Sequence, residues 1–290
     1  MKYYFLFNPL AGKGRAEQFA LEVDHENPNA TKCYDMTKID NLPDFLTKLK
    51  EDDRLVICGG DGTLNCFINK AGNLKIDNEI LYFPAGSGND FMKDLGRVQT
   101  DGRFRVNEYI NNLPRVTFGG KDFRFINGVG FGIDGVVCAE GDRLRSKGKK
   151  VNYTFLAVKC LMKFKPVNAT VTIDGVTRNY KKVWMTTTMK GRFFGGGMMI
   201  APDQRRDSEK GEISVLVAHN LSRFKILTLF PYIFKGKHTK YTKYIDLVKC
   251  HSISVKYDRP CALQMDGEPN FDISEYTASA SAKESFVILN

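Results

Sequence analysis

The stretch CGGDGTLN, Cys58–Asn65, places three glycines and one carboxylate within eight residues. The preceding run RLVI is apolar and predicts a buried strand, and the following CFINKAG predicts a helix. Glycine loses more conformational freedom on folding than any other residue. We therefore expect a turn whose backbone has to approach something closely.

Two further glycine turns follow predicted strands in the same way: NPLAGKG (Asn8–Gly14) and PAGSGND (Pro84–Asp90). In open parallel sheets ligands bind at the carboxyl ends of the strands, and turns that lead into helices offer backbone N–H groups to anions. One such turn is usually only a tight connection, but three on successive strands favour a phosphate site. No turn has the pattern of a Walker P-loop or of G-x-G-x-x-G, which disfavours P-loop NTPases and dinucleotide dehydrogenases.

The pattern along the chain predicts two domains. Residues 1–118 alternate short apolar strands with helices, which indicates a doubly wound α/β nucleotide-binding domain with a parallel sheet. Residues 119–290 consist mainly of short β-branched or alternating runs separated by Gly, Asp and Asn, which predicts an antiparallel β-sandwich. Two stretches of this second part, NYTFLAVKCLMKF and LSRFKILTLFPYIFKG, have helical periodicity.

The composition is that of a folded, basic protein: 290 residues, 42% hydrophobic, with a net charge of +10. No apolar run approaches the roughly 20 residues that span a bilayer. Seven scattered cysteines without a CxxC pair favour reduced thiols and a cytoplasmic location. The charge predicts an acidic partner, and the absence of an aromatic-rich recognition motif argues against nucleic acid.

The motifs NPLAGKG, GGDGTLN and PAGSGNDF, in this order, resemble the catalytic domain of the diacylglycerol kinase family, and most of all its soluble bacterial lipid-kinase branch. The later DGE, Asp266–Glu268, is similar to that family's C-terminal motif. The resemblance implies transfer of the γ-phosphate of ATP, with Mg²⁺, to the hydroxyl of a diacylglycerol-like lipid bound by the second domain. GGDGT alone does not separate this branch from the sphingosine kinases, NAD kinases and 6-phosphofructokinases of the same superfamily.

The resemblance also implies roles for individual residues. Glu268 would be the catalytic base, and Asp61 would lie near the phosphates and Mg²⁺. The implied metal ligands are Asp61, Asp122 and Asp207. The implied nucleotide-binding residues are Asn8, Pro9, Gly12, Thr37, Gly59, Gly60, Asp61, Gly62, Thr63, Leu64, Asn65 and Ser87.

Two positions depart from the family pattern. Cys66 stands where an acidic residue usually follows GGDGTLN. Lys210 precedes Gly211 where the family has an Asp-Gly pair that holds a structural Mg²⁺, with Asp207 among the nearest acids. The sequence leaves open whether that metal site survives.

Other functions remain open at this point: a sphingoid-base or other long-chain lipid kinase, an NAD kinase, or a non-catalytic nucleotide-binding regulator. The expected partners are a lipid substrate, an anionic membrane surface contacted peripherally, and a second copy of the chain in a homodimer. The membrane is indicated by basic residues interleaved with apolar ones in KCLMKFK (Lys159–Lys165) and FKGKHTKYTKY (Phe234–Tyr244).

Overall fold

The computed structural model describes residues 1–86, 88–98, 102–208 and 211–280. The chain divides into two compact units, one formed by Met1–Leu113 and the other beginning at Pro114. The boundary predicted after residue 118 lies a few residues further along the chain. Ser87 lies outside the described residues.

The first unit contains a five-stranded sheet in the order β2-β1-β3-β4-β5, in which β1 to β4 are parallel and β5 is antiparallel to β4. Its strands are β1 (Tyr3–Phe7), β2 (Thr31–Asp35), β3 (Arg54–Gly59), β4 (Ile80–Pro84) and β5 (Phe104–Arg105). Its helices are α1 (Arg15–Glu26), α2 (Leu42–Leu46), α3 (Asp61–Ala71), α4 (Asp90–Asp94) and α5 (Asn107–Ile110).

The parallel strands are apolar along their length because they are buried on both faces. Leu55, Val56 and Ile57 are consecutive residues of β3, and none is exposed to solvent. The register pairs Phe7 with both Asp35 and Cys58, and Gly59 with Pro84. The four parallel strands therefore end at one edge of the sheet, and the turns that follow them emerge side by side.

The second unit is the predicted antiparallel β-structure. Ten of its strands form one sheet, in which β15-β14-β11-β8-β16-β17-β6-β7 are neighbours and the pair β9–β10 branches from β16. Its strands are β6 (Arg115–Phe118), β7 (Lys121–Arg124), β8 (Gly128–Gly132), β9 (Val167–Ile173), β10 (Val176–Val183), β11 (Met185–Met189), β12 (Phe193–Phe194), β13 (Met198–Met199), β14 (Ile213–Ala218), β15 (Ile245–Cys250), β16 (Ser252–Met265) and β17 (Glu268–Ser279). Its helices are α6 (Ile133–Ser146), α7 (Tyr153–Lys163) and α8 (Arg223–Ile233).

The long strand β16 makes this sheet fold over itself. Its first part, Ile253–Tyr257, pairs with β9, and its last residues, Leu263–Met265, pair with β8. Register shifts between these parts let the strand bend from one layer to the other. One apolar core, with Phe131 and Tyr257, fills the space between the layers. A second core, with Trp184, lies between the sheet and the helices.

Among the described helices, none combines the length and hydrophobicity needed to cross a membrane.

Candidate active site

The three glycine turns of the first unit contact one another through their backbones. A Cβ atom at Gly12 would overlap the carbonyl oxygen of Ala85, and one at Gly86 would lie 2.5 Å from the Cα of Gly60. Gly60 has an extended backbone with φ −94°, so it is glycine because of this close approach and not because of its conformation. Packing of this kind brings the three predicted turns into one site.

The first turn has the shape of an anion-binding loop. Gly12, Lys13 and Gly14 are all left-handed, with φ of 60°, 61° and 89°, and Arg15 then begins α1 in the right-handed conformation. A change from left- to right-handed backbone points successive N–H groups toward one spot, and the positive end of the helix adds to the field. A Cβ at Gly14 would have nothing within 4 Å. The space beside Gly14 is therefore open.

Asp61 connects the second and third turns. Its Oδ2 accepts a hydrogen bond from the amide of Asp90 (2.7 Å), and its Oδ1 accepts one from the amide of Phe91 (3.3 Å). The carboxylate thus satisfies the first N–H groups of α4 while standing at the start of α3. Asp90 is itself a buried carboxylate at this edge of the sheet, and our sequence analysis did not single it out. The acid in GSGND was the signal that could have found it.

The remaining predicted nucleotide residues occupy different positions at this edge. Thr63, Leu64 and Asn65 are buried side chains of α3. Thr37 is exposed after β2, where its amide and hydroxyl both donate to Asp35. Asn8 accepts a hydrogen bond from the amide of Leu10 and so shapes the first turn. The roles of these residues in nucleotide binding stay predictions.

The Asp-Gly-Glu motif forms a tight hairpin turn in the second unit. Met265 pairs with Glu268, and the two loop residues between them, Asp266 and Gly267, have positive φ angles of 48° and 92°, as in a type I′ turn. The thiol of Cys138, on α6, donates to the carbonyl of Gly267 (2.9 Å). The amide of Gly267 donates to the Oε1 of Gln264 (2.8 Å). The turn is therefore held on both of its faces.

The Asp266 carboxylate fixes this turn to the start of β8. It accepts hydrogen bonds from three consecutive amides, those of Ile126 (2.6 Å), Asn127 (2.8 Å) and Gly128 (2.9 Å). Burial raises the pKa of Asp266, and the three amides oppose that rise because they stabilise the charged form. Asp266, which lies two residues before the predicted base, therefore has a structural role.

Glu268 begins β17 immediately after this turn, and its side chain reaches solvent. Partial desolvation raises the pKa of Glu268. Arg145 opposes this rise by favouring the carboxylate, and Asp142 adds to it by repulsion. A carboxylate with a raised pKa is better suited to accept a proton near neutral pH than an ordinary surface glutamate.

A second, partly buried carboxylate, that of Asp134, contacts the same turn through Gln264. The Nε2 of Gln264 donates to the Oδ2 of Asp134 (2.8 Å), while the Oε1 of Gln264 accepts from Gly267. A Cβ at Gly130 would collide with the Asp134 carboxylate, so the carboxylate occupies the space that this glycine leaves. Burial raises the pKa of Asp134 to about 7, although Gln264 lowers it somewhat. This contact joins residues 130 positions apart, and no local sequence pattern indicates it.

The predicted metal ligands do not form a cluster of acids. Asp122 lies on β7 and accepts from the hydroxyl of Thr117, and Asp207 pairs with Arg205. Within the described ranges, no three His, Cys, Asp or Glu side chains come together as a metal-binding group. A divalent ion held by Asp61 would therefore take its other ligands from oxygen groups outside such a cluster, such as water.

A parallel α/β unit with glycine turns at its carboxyl edge, combined with an antiparallel β-sandwich unit, defines a known class of two-domain proteins. Residues 2–117 match the diacylglycerol kinase catalytic domain. Residues 127–279, more than half of the chain, match the YegS C-terminal NAD kinase beta sandwich-like domain. The chain belongs to this family of diacylglycerol kinase-like proteins, as the motifs had indicated.

Individual relatives agree with this assignment. The chain is 24% identical over 233 residues to a diacylglycerol kinase of Mycobacterium tuberculosis, which covers 76% of this chain and 74% of the relative. It is 24% identical over 224 residues to a diacylglycerol kinase of Bacillus subtilis, with 76% and 72% covered. A crystal structure of a diacylglycerol kinase from Bacillus anthracis shares the fold, with a TM-score of 0.61, 17% identity, and 100% and 97% of the two chains covered.

The contact between the first and third turns can be tested with two glycine variants. Gly12 and Gly14 are both left-handed, so alanine costs each roughly 1–2 kcal/mol in backbone conformation. Only Gly12 also meets the Ala85 carbonyl. We expect Gly12→Ala to unfold at a temperature roughly 3–10 °C below that of Gly14→Ala in thermal denaturation. Equal midpoints would show that the turns do not pack in this way.

The environment of Asp134 predicts a pH dependence of stability. The folded-state pKa of Asp134 is about 7, whereas that of an unfolded aspartate is roughly 4. The contribution of the neutral side chain to the free energy of unfolding is therefore fully present below about pH 4. That stabilisation is lost as the pH rises through 7. The asparagine of Asp134→Asn does not titrate. We therefore expect the unfolding temperature of this variant, relative to that of the parent protein, to rise between about pH 4 and pH 8.

The exposed Asp122 provides the control, since Asp122→Asn should leave the pH profile of the parent unchanged. Midpoints of the parent and of Asp134→Asn that run parallel over the whole pH range would contradict the raised pKa.

Proposed function

We propose that this protein is an ATP-dependent lipid kinase that transfers the γ-phosphate of ATP to the hydroxyl of a diacylglycerol-like lipid. The observation that carries the proposal is the convergence of three glycine turns at one edge of the parallel sheet, within a segment that matches a diacylglycerol kinase catalytic domain. The names of the relatives support a lipid as the acceptor.

The first unit would bind the triphosphate. Backbone N–H groups around Gly12–Arg15 and Gly60–Asp61 suit phosphate oxygens, and Lys13 and Arg15 are exposed beside the first turn. Bound ATP would supply the phosphoryl group. A Mg²⁺ ion prefers oxygen ligands and would neutralise part of the phosphate charge. Asp61 is the carboxylate best placed to hold that ion, because hydrogen bonds to two amides fix its orientation.

Glu268 would accept the proton of the lipid hydroxyl. As the proton moves to the carboxylate, the hydroxyl oxygen bonds to the γ-phosphorus and the bond from phosphorus to the departing ADP oxygen breaks. The raised pKa of Glu268 favours this role, and the locked turn Asp266–Gly267 limits how far the carboxylate can move. Positioning of this kind is the main contribution that a protein makes to phosphoryl transfer.

Replacing the base tests this mechanism. Glu268→Gln keeps the shape of the side chain but cannot take a proton, so we expect the single-turnover rate with ATP, Mg²⁺ and diacylglycerol to fall about 10²- to 10⁴-fold. The Kd for ATP should stay close to that of the parent, since the nucleotide turns belong to the other unit. The rise of the parent rate with pH through the pKa of Glu268 should also disappear.

A matched control lies on the same strand. Glu275 is an exposed acid of β17 that pairs with Lys256, and Glu275→Gln should turn over at the parental rate. Asp61→Asn should instead weaken ATP binding and turnover together. Parallel assays with a sphingoid base and with NAD identify the acceptor, and turnover by Glu268→Gln at the parental rate would rule out Glu268 as the base.

We also propose that the exposed face of α7 rests on an anionic membrane. Phe155, Val158 and Met162 follow the spacing of one helical face and are 72%, 36% and 53% exposed. Lys159 and Lys163 are exposed beside them. Apolar side chains that project from a basic surface suit insertion between anionic headgroups, where a diacylglycerol-like lipid would also reside.

The start of α8 extends this face. Arg223 donates hydrogen bonds to the carbonyls of Met162 (3.2 Å) and Phe164 (3.0 Å), which joins the first turn of α8 to the end of α7. Phe224, the next residue, is 77% exposed. An exposed aromatic side chain therefore lies in the first turn of α8, beside the residue that joins α8 to the end of α7.

Vesicle sedimentation tests the membrane face. We expect binding to anionic vesicles to exceed binding to neutral ones and to weaken as salt screens the surface charges. The double variant Phe155→Ser/Met162→Ser should bind about tenfold more weakly or worse, because it loses inserted apolar area. Val176→Ser, which alters an exposed valine on β10, is the control and should bind like the parent. Equal binding to both kinds of vesicle at every salt concentration would contradict the proposal.

A further inference from the structure

The backbone amides of Ile126–Gly128 donate hydrogen bonds to the Asp266 carboxylate. An arginine side chain forms further hydrogen bonds with the same segment. The guanidinium of Arg206 donates to the carbonyl of Ile126 and to the Oδ1 of Asn127, both at 2.5 Å. Ile126 is fully buried, and Asn127 is 2% exposed. A carboxylate thus holds the N–H groups of this segment while a guanidinium holds its carbonyl and amide oxygens.

Arg206 comes from the loop between β13 and β14, where the family resemblance places a structural Mg²⁺. Asp207, the acid of this loop that was predicted to bind the ion, is not arranged as a metal ligand. The Asp207 side chain is 69% exposed and already pairs with Arg205 (3.1 Å). The hydrogen bond from Arg205 holds the pKa of Asp207 below its usual range, and Lys190 lowers it further.

The surroundings of the loop are also cationic. Lys190 is 7% exposed, and burial lowers its pKa, with a further lowering from the neighbouring Arg206 that the Asp207 carboxylate opposes. Its backbone amide donates to the carbonyl of Asn127 (2.9 Å), so it belongs to the same region. A divalent cation placed here would be repelled by Lys190 and Arg206, whereas Mg²⁺ sites in proteins are built from carboxylates and other oxygen ligands.

We propose that the Arg206 guanidinium takes the place of the structural metal ion in this loop. Arg206 is then a positioning residue, which orders Ile126–Gly128 and through them the Asp266–Gly267 turn that carries Glu268. A guanidinium suits the task because its planar set of donors reaches two acceptors at once and stays charged at any physiological pH. The β-sandwich unit therefore requires no bound divalent cation for its stability.

Thermal unfolding without nucleotide tests the metal question directly. We expect the parent protein to unfold at the same temperature in a chelator and in millimolar Mg²⁺. Arg206→Met should unfold roughly 5 °C lower or more, because two buried acceptors lose their partner, and Mg²⁺ should not restore it. Arg206→Lys should recover part of the loss, since an ammonium keeps the charge but cannot span both acceptors. Arg205→Met should match the parent.

Hydrogen exchange followed by mass spectrometry tests the positioning role without any activity assay. Arg206→Met should speed exchange in peptides that cover residues 124–130 and 264–270, while peptides from β14 and β15 should exchange as in the parent. Uniform acceleration across the sandwich would show a general loss of stability and would refute the local role.

The kinetic arm of the test rests on the proposed lipid kinase function. Arg206→Met should lower kcat at least tenfold with an unchanged Kd for ATP, and Arg206→Lys should restore part of it. If the parent phosphorylates no lipid, the proposed function fails while the melting and exchange data still decide the role of Arg206. If Mg²⁺ raises the midpoint of the parent by several degrees and Asp207→Asn abolishes that rise, the loop is a metal site and the inference is overturned.

Discussion

The carboxylate of Asp266 binds three consecutive amides that lie about 140 residues earlier in the chain. These hydrogen bonds are charge-assisted and buried, so loss of the carboxylate would leave three N–H groups without their partner inside the protein. They tie the β16–β17 hairpin to the first residue of β8 and to the two residues before it. The direction in which Glu268 leaves the hairpin depends on this attachment.

The candidate site of the α/β unit is also held in place by hydrogen bonds and close packing, but it uses fewer side chains. This site is built from backbone, and glycines at Gly12, Gly60 and Gly86 let the turns approach closely enough to form it. Asp61 then orients the start of α4 through its two amide contacts. In each unit an aspartate of the candidate site, Asp61 or Asp266, accepts hydrogen bonds from backbone amides. The two units thus share a design in which carboxylates arrange the main chain around the groups that would react.

Much of this arrangement follows from short-range patterns in the sequence. Apolar runs that end in glycine predict parallel strands and their turns, and the Asp-Gly pair at 266–267 predicts a tight turn between strands. The sequence does not tell why a glycine is required at each position. At Gly12 the backbone has a positive φ, whereas at Gly60 a neighbouring backbone lies close, and the residue type is glycine in both cases.

Contacts between distant segments were beyond the reach of the sequence. Asp134 meets Gln264 across 130 positions, and its raised pKa arises from burial that no local pattern reveals. Arg205 and Arg206 are adjacent and chemically identical, but one pairs with an exposed aspartate and the other enters the sandwich. Only the fold distinguishes them. The roles of Asn8, Thr37 and Ser87 in nucleotide binding remain predictions from the resemblance.

The separation in sequence between Asp266 and its amide partners also affects folding during synthesis on the ribosome. The segment Ile126–Gly128 is synthesised 138 residues or more before the carboxylate that satisfies it. At about 5–20 residues per second, it waits roughly 7–28 s for that partner. During this interval its amides and the apolar strand β8 beside them have no completed sandwich to enter. The β-sandwich therefore cannot be completed until residue 266 has been synthesised, although β8 and its amides are present long before.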